Sequence, residues 1–145
     1  MKSSTLDASI ASAPITAESR RSTLRSVGAV VAGIIAIFAV TTATDLVLHV
    51  TGVFPPMGQI MSGPLFVLAT AYRILYGIGG SYLTARLAPR RPMRHAYALA
   101  TVGTLFSIAG AIALGDRGPA WYAIAIILIS FPCAYVGGKL AKRRR

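Results

Sequence analysis

Four long apolar segments constrain the fold of this chain more than any other feature of its sequence. They cover about residues 27–53, 64–87, 95–114 and 119–140, and polar or proline-rich stretches separate them. A helix of about 20 apolar residues crosses the hydrocarbon layer of a bilayer, which is roughly 30 Å thick. Only 13% of the residues are charged, against about 25% in a soluble domain. The sequence therefore predicts an all-α fold, an integral membrane bundle of four transmembrane helices within residues 26–141.

The distribution of Lys and Arg predicts the orientation of these helices. Thirteen of the 15 basic residues fall before residue 26, in the loop around Arg90, or at the C-terminus. The loop after the first segment has none, and the loop after the third has only Arg117. Because cytoplasmic loops carry the excess of Lys and Arg, both termini are expected in the cytoplasm. The basic residues follow the segment ends and form no polar face, so the net charge of +11 does not predict a nucleic-acid partner.

Residues 1–25 are rich in Ser, Ala and Thr and show no apolar period, so we predict a disordered cytoplasmic leader. Residues 19–25 resemble a twin-arginine export signal. The alternative is that Arg20, Arg21 and Arg25 anchor the first helix at the cytoplasmic surface. The apolar stretch runs on to Val53, well beyond the 7–15 residues of a signal-peptide core. This length favours the anchor, and processing of the leader stays an open alternative.

Two charges lie inside the first two apolar segments. Asp45 comes nine residues before the turn that begins at Phe54, and Arg73 comes nine residues after Pro64. At about 1.5 Å per helical residue, both lie about 13 Å below the same surface. A charge at this depth normally faces the bundle and has a partner. We therefore predict an ion pair between Asp45 and Arg73 on adjacent antiparallel helices.

Polar neighbours enlarge this patch and leave its role open. His49 lies one turn after Asp45 on the same helix face, and Tyr72 and Tyr76 lie beside Arg73. One interpretation is a structural clamp that fixes the register of the two helices. A second is a site that handles a proton or a ligand. A third, that Asp45 and His49 form half of a metal site, lacks the further ligands that a metal needs, so no metal is predicted.

Small residues and one proline predict how the helices pack. Glycine and serine in a membrane helix allow close approach of a second helix. The predicted contact positions are Gly33, Gly77, Gly80, Gly103 and Ser107. Pro132 is expected to kink the fourth helix, because it removes one backbone hydrogen bond. Trp121 and Tyr122 at the start of that helix are typical of an interfacial aromatic pair.

Basic residues of the second loop and of the tail (residues 142–145) have two interpretations. The simpler one is that they anchor the topology. In the other they bind anionic lipid headgroups, since each basic residue near such a surface adds about 1 kcal/mol of attraction. The residues concerned are Arg90, Arg91, Arg94, Lys142, Arg143, Arg144 and Arg145.

Three segments of the chain carry a resemblance to known proteins. They are Thr44-Asp45…His49…Gly52-Val53-Phe54-Pro55-Pro56, Ala71-Tyr72-Arg73…Tyr76, and Gly80…Tyr82…Arg86-Leu87-Ala88-Pro89. These segments resemble a group of small four-span bacterial membrane proteins to which no activity is assigned. The resemblance implies four helices and a location in the bacterial inner (cytoplasmic) membrane. It transfers no functional residue to this chain.

Three classes of function follow from these features. In the first, the protein moves or senses a small solute or proton through an outward-facing patch of Asp45, His49 and Arg73, as a homo-oligomer. In the second, it is a structural or accessory subunit of a larger membrane partner, and the ion pair is only a clamp. An intramembrane enzyme is not expected, because the chain has no paired carboxylates, no cofactor motif and a single cysteine, Cys133. We favour the first class and predict no cofactor.

Overall fold

The computed structural model describes the backbone of residues 4–56, 58–114 and 118–144, with side chains from residue 18 onward in these ranges except at 114. This part of the chain contains four α-helices and no strand. The prediction of an all-α chain with four helices is confirmed. The helices are α1 (Ser4–Val50), α2 (Gly63–Leu87), α3 (Pro92–Leu114) and α4 (Ala120–Arg143).

Helix α1 begins far before the predicted start near residue 27. Residues 4–25, predicted as a disordered leader, continue the helix of the apolar segment. Residues 18–26 contain no glycine or proline and several good helix formers, and an existing helix extends without a new nucleation cost. The hydroxyls of Thr23 and Ser26 donate to carbonyls four residues earlier, at 3.0 and 2.9 Å. These polar side chains are therefore satisfied within the helix itself.

The end of α1 follows from a glycine and two prolines. Gly52 has a φ of 74°, and the backbone N–H of Phe54 donates to the carbonyl of Leu48 at 2.8 Å. A left-handed glycine with such a returning hydrogen bond is a common helix stop. Pro55 and Pro56 then exclude further helix. The turn folds the Phe54 side chain back against the helices, where it is only 3% exposed.

Helix α2 is the central element of the fold. It contacts α1, α3 and α4, whereas α1 and α4 do not contact each other in the described part of the chain. Within the described residues, three helices are long and apolar enough to cross a membrane, namely α1 from Glu18, α3 and α4. Helix α2 is less apolar, because it carries Arg73, Arg86 and several glycines. Its neighbours cover much of its surface, including Phe66, Ala69, Tyr72, Gly80, Ser81, Thr84 and Ala85, which are buried.

The predicted small-residue positions differ in what they contact. Gly33 lies against the Thr84 side chain of α2, and a Cβ at Gly80 would collide with Ile37 of α1. A Cβ at Gly77 would lie 3.3 Å from the Cβ of Cys133. A Cβ at Gly103 would meet nothing within 4 Å, and this glycine instead accepts a 2.9 Å hydrogen bond from Ser107. The spacing of small residues identifies a smooth face but not the helix that meets it.

Helix α4 approaches α2 closely at Gly137, a glycine that was not predicted as a contact position. A Cβ at Gly137 would lie 2.7 Å from the backbone nitrogen of Tyr82 and 2.8 Å from the Cβ of Ser81. The two backbones are therefore in direct contact at this level. Pro132 lies inside α4, which continues on both sides of it. The kink expected there stays a prediction.

Replacing Thr84 with valine is expected to stabilise the fold by about 1 kcal/mol. The Thr84 side chain is fully buried, and its hydroxyl has no hydrogen-bond partner in the described part of the chain. An unsatisfied buried hydroxyl is costly, and a methyl group of similar shape removes that cost. Thermal unfolding of the purified protein measures the change. Thr101→Val is the matched control, because Thr101 is exposed and donates to the Tyr97 carbonyl; a gain no larger than the control's would refute the explanation.

Candidate functional site

The two charges predicted to pair lie together where α1 meets α2. Nη2 of Arg73 donates to Oδ2 of Asp45 at 2.9 Å. The Tyr72 hydroxyl donates to the other carboxylate oxygen of Asp45, and Nη1 of Arg73 donates to the Tyr72 oxygen at 2.9 Å. The side chains of Asp45 and Arg73 are 30% and 26% exposed. These three residues therefore form a closed polar cluster at the edge of the protein interior, the ion-pair cluster.

A second polar contact joins α1 and α2 one residue before Asp45. The hydroxyls of Thr44 and Tyr76 lie 2.9 Å apart, and the Thr44 hydroxyl donates to the Val40 carbonyl at 2.9 Å. Since Thr44 has one hydroxyl proton, Tyr76 is the donor between them. Tyr76 was among the residues predicted for this patch, and Thr44 was not. The Thr41 hydroxyl is buried without a partner in the described residues.

His49 is held in one orientation beside the ion-pair cluster. Its Nδ1 lies 2.7 Å from the backbone oxygen of Asp45. A carbonyl only accepts, so Nδ1 carries the proton and donates. The imidazole also packs edge-on against Phe54, with ring centroids 5.4 Å apart. Within the described residues its Nε2 has no hydrogen-bond partner, so this nitrogen is free for a ligand or a proton.

A cavity of about 420 Å³ lies beside the ion-pair cluster, between the end of α1 and the start of α4. All four helices and the loop between α1 and α2 contribute to its wall. Its polar lining residues are Asp45, His49, Gln59, Arg73 and Ser107. The largest remaining side chains of the wall are Phe54, Met61, Phe66, Tyr122 and Ile126, of which only Tyr122 carries a hydroxyl. Volumes of 300–1,000 Å³ with a few polar groups are typical of small-molecule sites.

Arg73 connects the two sides of this cavity. It pairs with Asp45 on α1, and its guanidinium carbon lies 6.0 Å from the ring centroid of Tyr122 on α4. The Tyr72 ring lies 5.1 Å from the same carbon. Cation–π contacts at these distances add to the ion pair. Arg73 is thus positioned by residues of α1, α2 and α4.

The sequence did not predict that Tyr122, Gln59 and Ser107 belong to the site. Tyr122 was interpreted as part of an interfacial aromatic pair, and Ser107 as a helix-packing residue. Both lie on helices that the first hairpin does not contain, so no spacing within one segment links them to Arg73. The aromatic contacts of Tyr122 with Phe66, at 4.9 Å between centroids, likewise depend on how α4 packs.

The basic residues predicted to contact lipid headgroups lie at the opposite end of the helices from the cavity. Arg86 near the end of α2 donates from Nη1 to the Arg144 carbonyl at 3.0 Å, so the end of α4 lies beside the end of α2. The six described candidates for headgroup contact are exposed: Arg90, Arg91, Arg94, Lys142, Arg143 and Arg144. Arg145 lies outside the described residues. This end is therefore strongly cationic.

Among the described residues no three His, Cys, Asp or Glu side chains lie close enough together to hold a metal ion. Comparisons of the chain with protein-family models, with curated proteins and with solved structures found no match.

Proposed function

We propose that this chain is a multi-pass protein of the bacterial inner membrane that binds a small solute, which it moves or senses, in the cavity beside Asp45 and Arg73. In this proposal all four helices cross the bilayer and both termini are cytoplasmic. The observation that carries the proposal is the cavity of about 420 Å³ whose wall includes Asp45, His49 and Arg73. An ion pair that only joined two helices would not require a cavity beside it.

The outer surface of the helices supports a membrane location. Large apolar side chains point outward on three helices, including Phe38 at 72% exposed, Phe106 at 66% and Leu128 at 65%. The buried positions are mostly small, and one core cluster consists of five alanines. An exposed apolar surface of this extent is costly in water and suits lipid. Helix α2 would then cross the bilayer shielded by its neighbours.

The charge distribution supports the orientation. The loops at the cavity end contain a single Lys or Arg, Arg117, which lies outside the described residues, and the opposite end carries the exposed basic residues. Under the positive-inside rule the opposite end would lie in the cytoplasm, and the cavity would face the periplasm. At the cytoplasmic surface the same arginines and lysines would contact anionic lipid headgroups.

A second candidate function is a structural or accessory subunit, and one observation favours it. Both carboxylate oxygens of Asp45 already accept a hydrogen bond, one from Tyr72 and one from Arg73. Such a closed arrangement would suit a clamp between α1 and α2 in a protein that works beside a larger partner. The two candidates differ in whether water and solutes reach the cavity.

Accessibility of Ser107 to a periplasmic reagent tests the proposed function. In a Cys133→Ser background, Ser107→Cys is expected to react with a small, charged, membrane-impermeant methanethiosulfonate added to intact cells. Ala109→Cys is the matched control, because Ala109 is exposed on α3 and does not line the cavity. A thiol facing lipid stays protonated and reacts slowly. We expect Ala109→Cys to remain unlabelled.

Two further variants make the labelling result decisive. Gln59→Cys in the loop should react readily, and Arg94→Cys should react only after the membrane is permeabilised. If Gln59→Cys reacts and Ser107→Cys does not, the cavity is closed to solutes and the accessory-subunit function is favoured. If Arg94→Cys reacts in intact cells, the proposed orientation is wrong.

A further inference from the structure

Arg73 has hydrogen-bonding capacity that the protein leaves unused. A guanidinium has five N–H groups. Three are used, by the Asp45 carboxylate, the Tyr72 hydroxyl and, at 3.5 Å, the Ala69 carbonyl. The remaining two, on Nε and Nη2, have no acceptor among the described residues. Since Arg73 lines the cavity, a ligand that supplies an acceptor there completes its coordination.

The charges around the cavity favour an anion over a cation. The described lining contains one carboxylate, Asp45, and one permanent cation, Arg73. Both oxygens of Asp45 already accept hydrogen bonds, so a ligand cation would compete with Arg73 for the same oxygens. Gln59 adds the two N–H donors of its amide, whereas the Nε2 of His49 is an acceptor because Nδ1 carries the proton. The unused donors therefore outnumber the unused anionic acceptors.

The rest of the wall selects an apolar body for the ligand. Phe54, Phe66 and Tyr122 present aromatic rings, and Met61 and Ile126 present aliphatic surface. The rings of Phe66 and Tyr122 pack together with their centroids 4.9 Å apart, which fixes that side of the wall. An apolar group of a ligand that binds against this wall is removed from water, and it breaks no hydrogen bond of the protein.

From these features we infer that the cavity binds a small monocarboxylate whose acid group meets Arg73 and whose apolar body lies against the aromatic wall. This assignment rests on the proposed function, because it names the class of solute for the same cavity. A compact soluble acid and an acyl chain from the bilayer share this chemistry. Their shapes differ, so titration with both separates them.

A fluorescence titration with three probes of one size tests the assignment. Trp121 is the only tryptophan of the chain, and its ring lies 6.4 Å from that of Phe66 in the cavity wall. Its emission therefore reports on binding. We expect benzoate to bind the detergent-purified protein at least about tenfold more tightly than benzyl alcohol, since its hydrogen bonds are charge-assisted. Benzylamine is expected to bind weakest.

A matched pair of variants separates cavity binding from uptake of the probes by detergent. Ala111 lines the cavity, whereas Ala109 on the same helix is exposed and does not. Ala111→Phe should abolish the benzoate response and Ala109→Phe should leave it unchanged, with helix content checked by circular dichroism. Octanoate, titrated in parallel, identifies an acyl chain as the preferred body if it binds more tightly than benzoate.

The outcomes separate this assignment from the proposed function. Tighter binding of benzyl alcohol or benzylamine than of either carboxylate overturns the assignment and leaves a solute cavity in place. A benzoate response that Ala111→Phe does not change also overturns it. If no probe binds, the assignment fails, and the labelling of Ser107→Cys decides independently whether the cavity admits solutes.

Discussion

Arg73→Gln is expected to destabilise the protein by about 3–5 kcal/mol. Removing one partner of a partly buried ion pair leaves the other charge without compensation, and this is the costly half of such an interaction. Here the stranded carboxylate is that of Asp45, which would keep only the Tyr72 hydroxyl as a donor. The contacts of the guanidinium with the Tyr72 and Tyr122 rings would be lost as well. Unfolding in mild detergent, followed by circular dichroism, measures the loss.

Arg94→Gln is the control for this change. Arg94 is an exposed arginine at the opposite end of the helices, and surface substitutions of this kind usually change stability by no more than about 0.5 kcal/mol. If the two variants lose stability equally, the ion-pair cluster does not contribute to the fold. That result would remove the clamp as an explanation of these charges.

Two double variants then separate a clamp from a site. A buried ion pair can often be replaced by apolar residues of similar size at no cost, so Asp45→Leu with Arg73→Met is expected to be about as stable as the native protein. The charges would then be unnecessary for folding, and a role in the neighbouring cavity would explain why the protein has them. The swap Asp45→Arg with Arg73→Asp should recover only part of the stability, because Tyr72 and Tyr122 remain where they are. Full recovery in the swap, with an unstable apolar pair, would favour the accessory-subunit function.

The pairing of Asp45 with Arg73 was predictable because it depends on little more than counting. A single turn fixes the relative depth of two antiparallel helices, and a rise of about 1.5 Å per residue transfers that depth to each charge. The cost of an unpaired charge in an apolar setting then requires a partner. The four helices were predictable for a similar reason, because each contains a long apolar run between polar or proline-rich stretches.

The cavity and Tyr122 were not predictable, because they depend on which helices touch. Helix α1 contacts α2 and α3 but not α4, and the space between α1 and α4 becomes the cavity. No residue pattern within one helix encodes such a missing contact. The start of α1 was also missed, since a composition rich in Ser, Ala and Thr is compatible with both disorder and a helix that extends from an apolar segment. Local sequence cannot choose between them.

Gly137→Leu is expected to destabilise the fold by about 3 kcal/mol, at the upper end of the usual cost of overpacking. A Cβ at this position would lie 2.7 Å from the backbone nitrogen of Tyr82. A flexible side chain could move aside, but a backbone amide of α2 moves only with its helix. The added side chain must therefore separate α2 from α4. Unfolding in mild detergent, with Gly79→Leu as the control, measures the effect.

The control is matched in residue type and differs only in what surrounds it. A Cβ at Gly79 would meet nothing within 4 Å, so leucine there should be neutral or slightly stabilising, because glycine is a poor helix former. Equal losses for the two variants would contradict the direct contact of α2 and α4.

A separation at Gly137 should also reach the cavity, because Arg73 of α2 and Tyr122 of α4 keep their relative position only while the two helices stay in contact. Weakened benzoate binding in a folded Gly137→Ala variant would show that this contact positions the site.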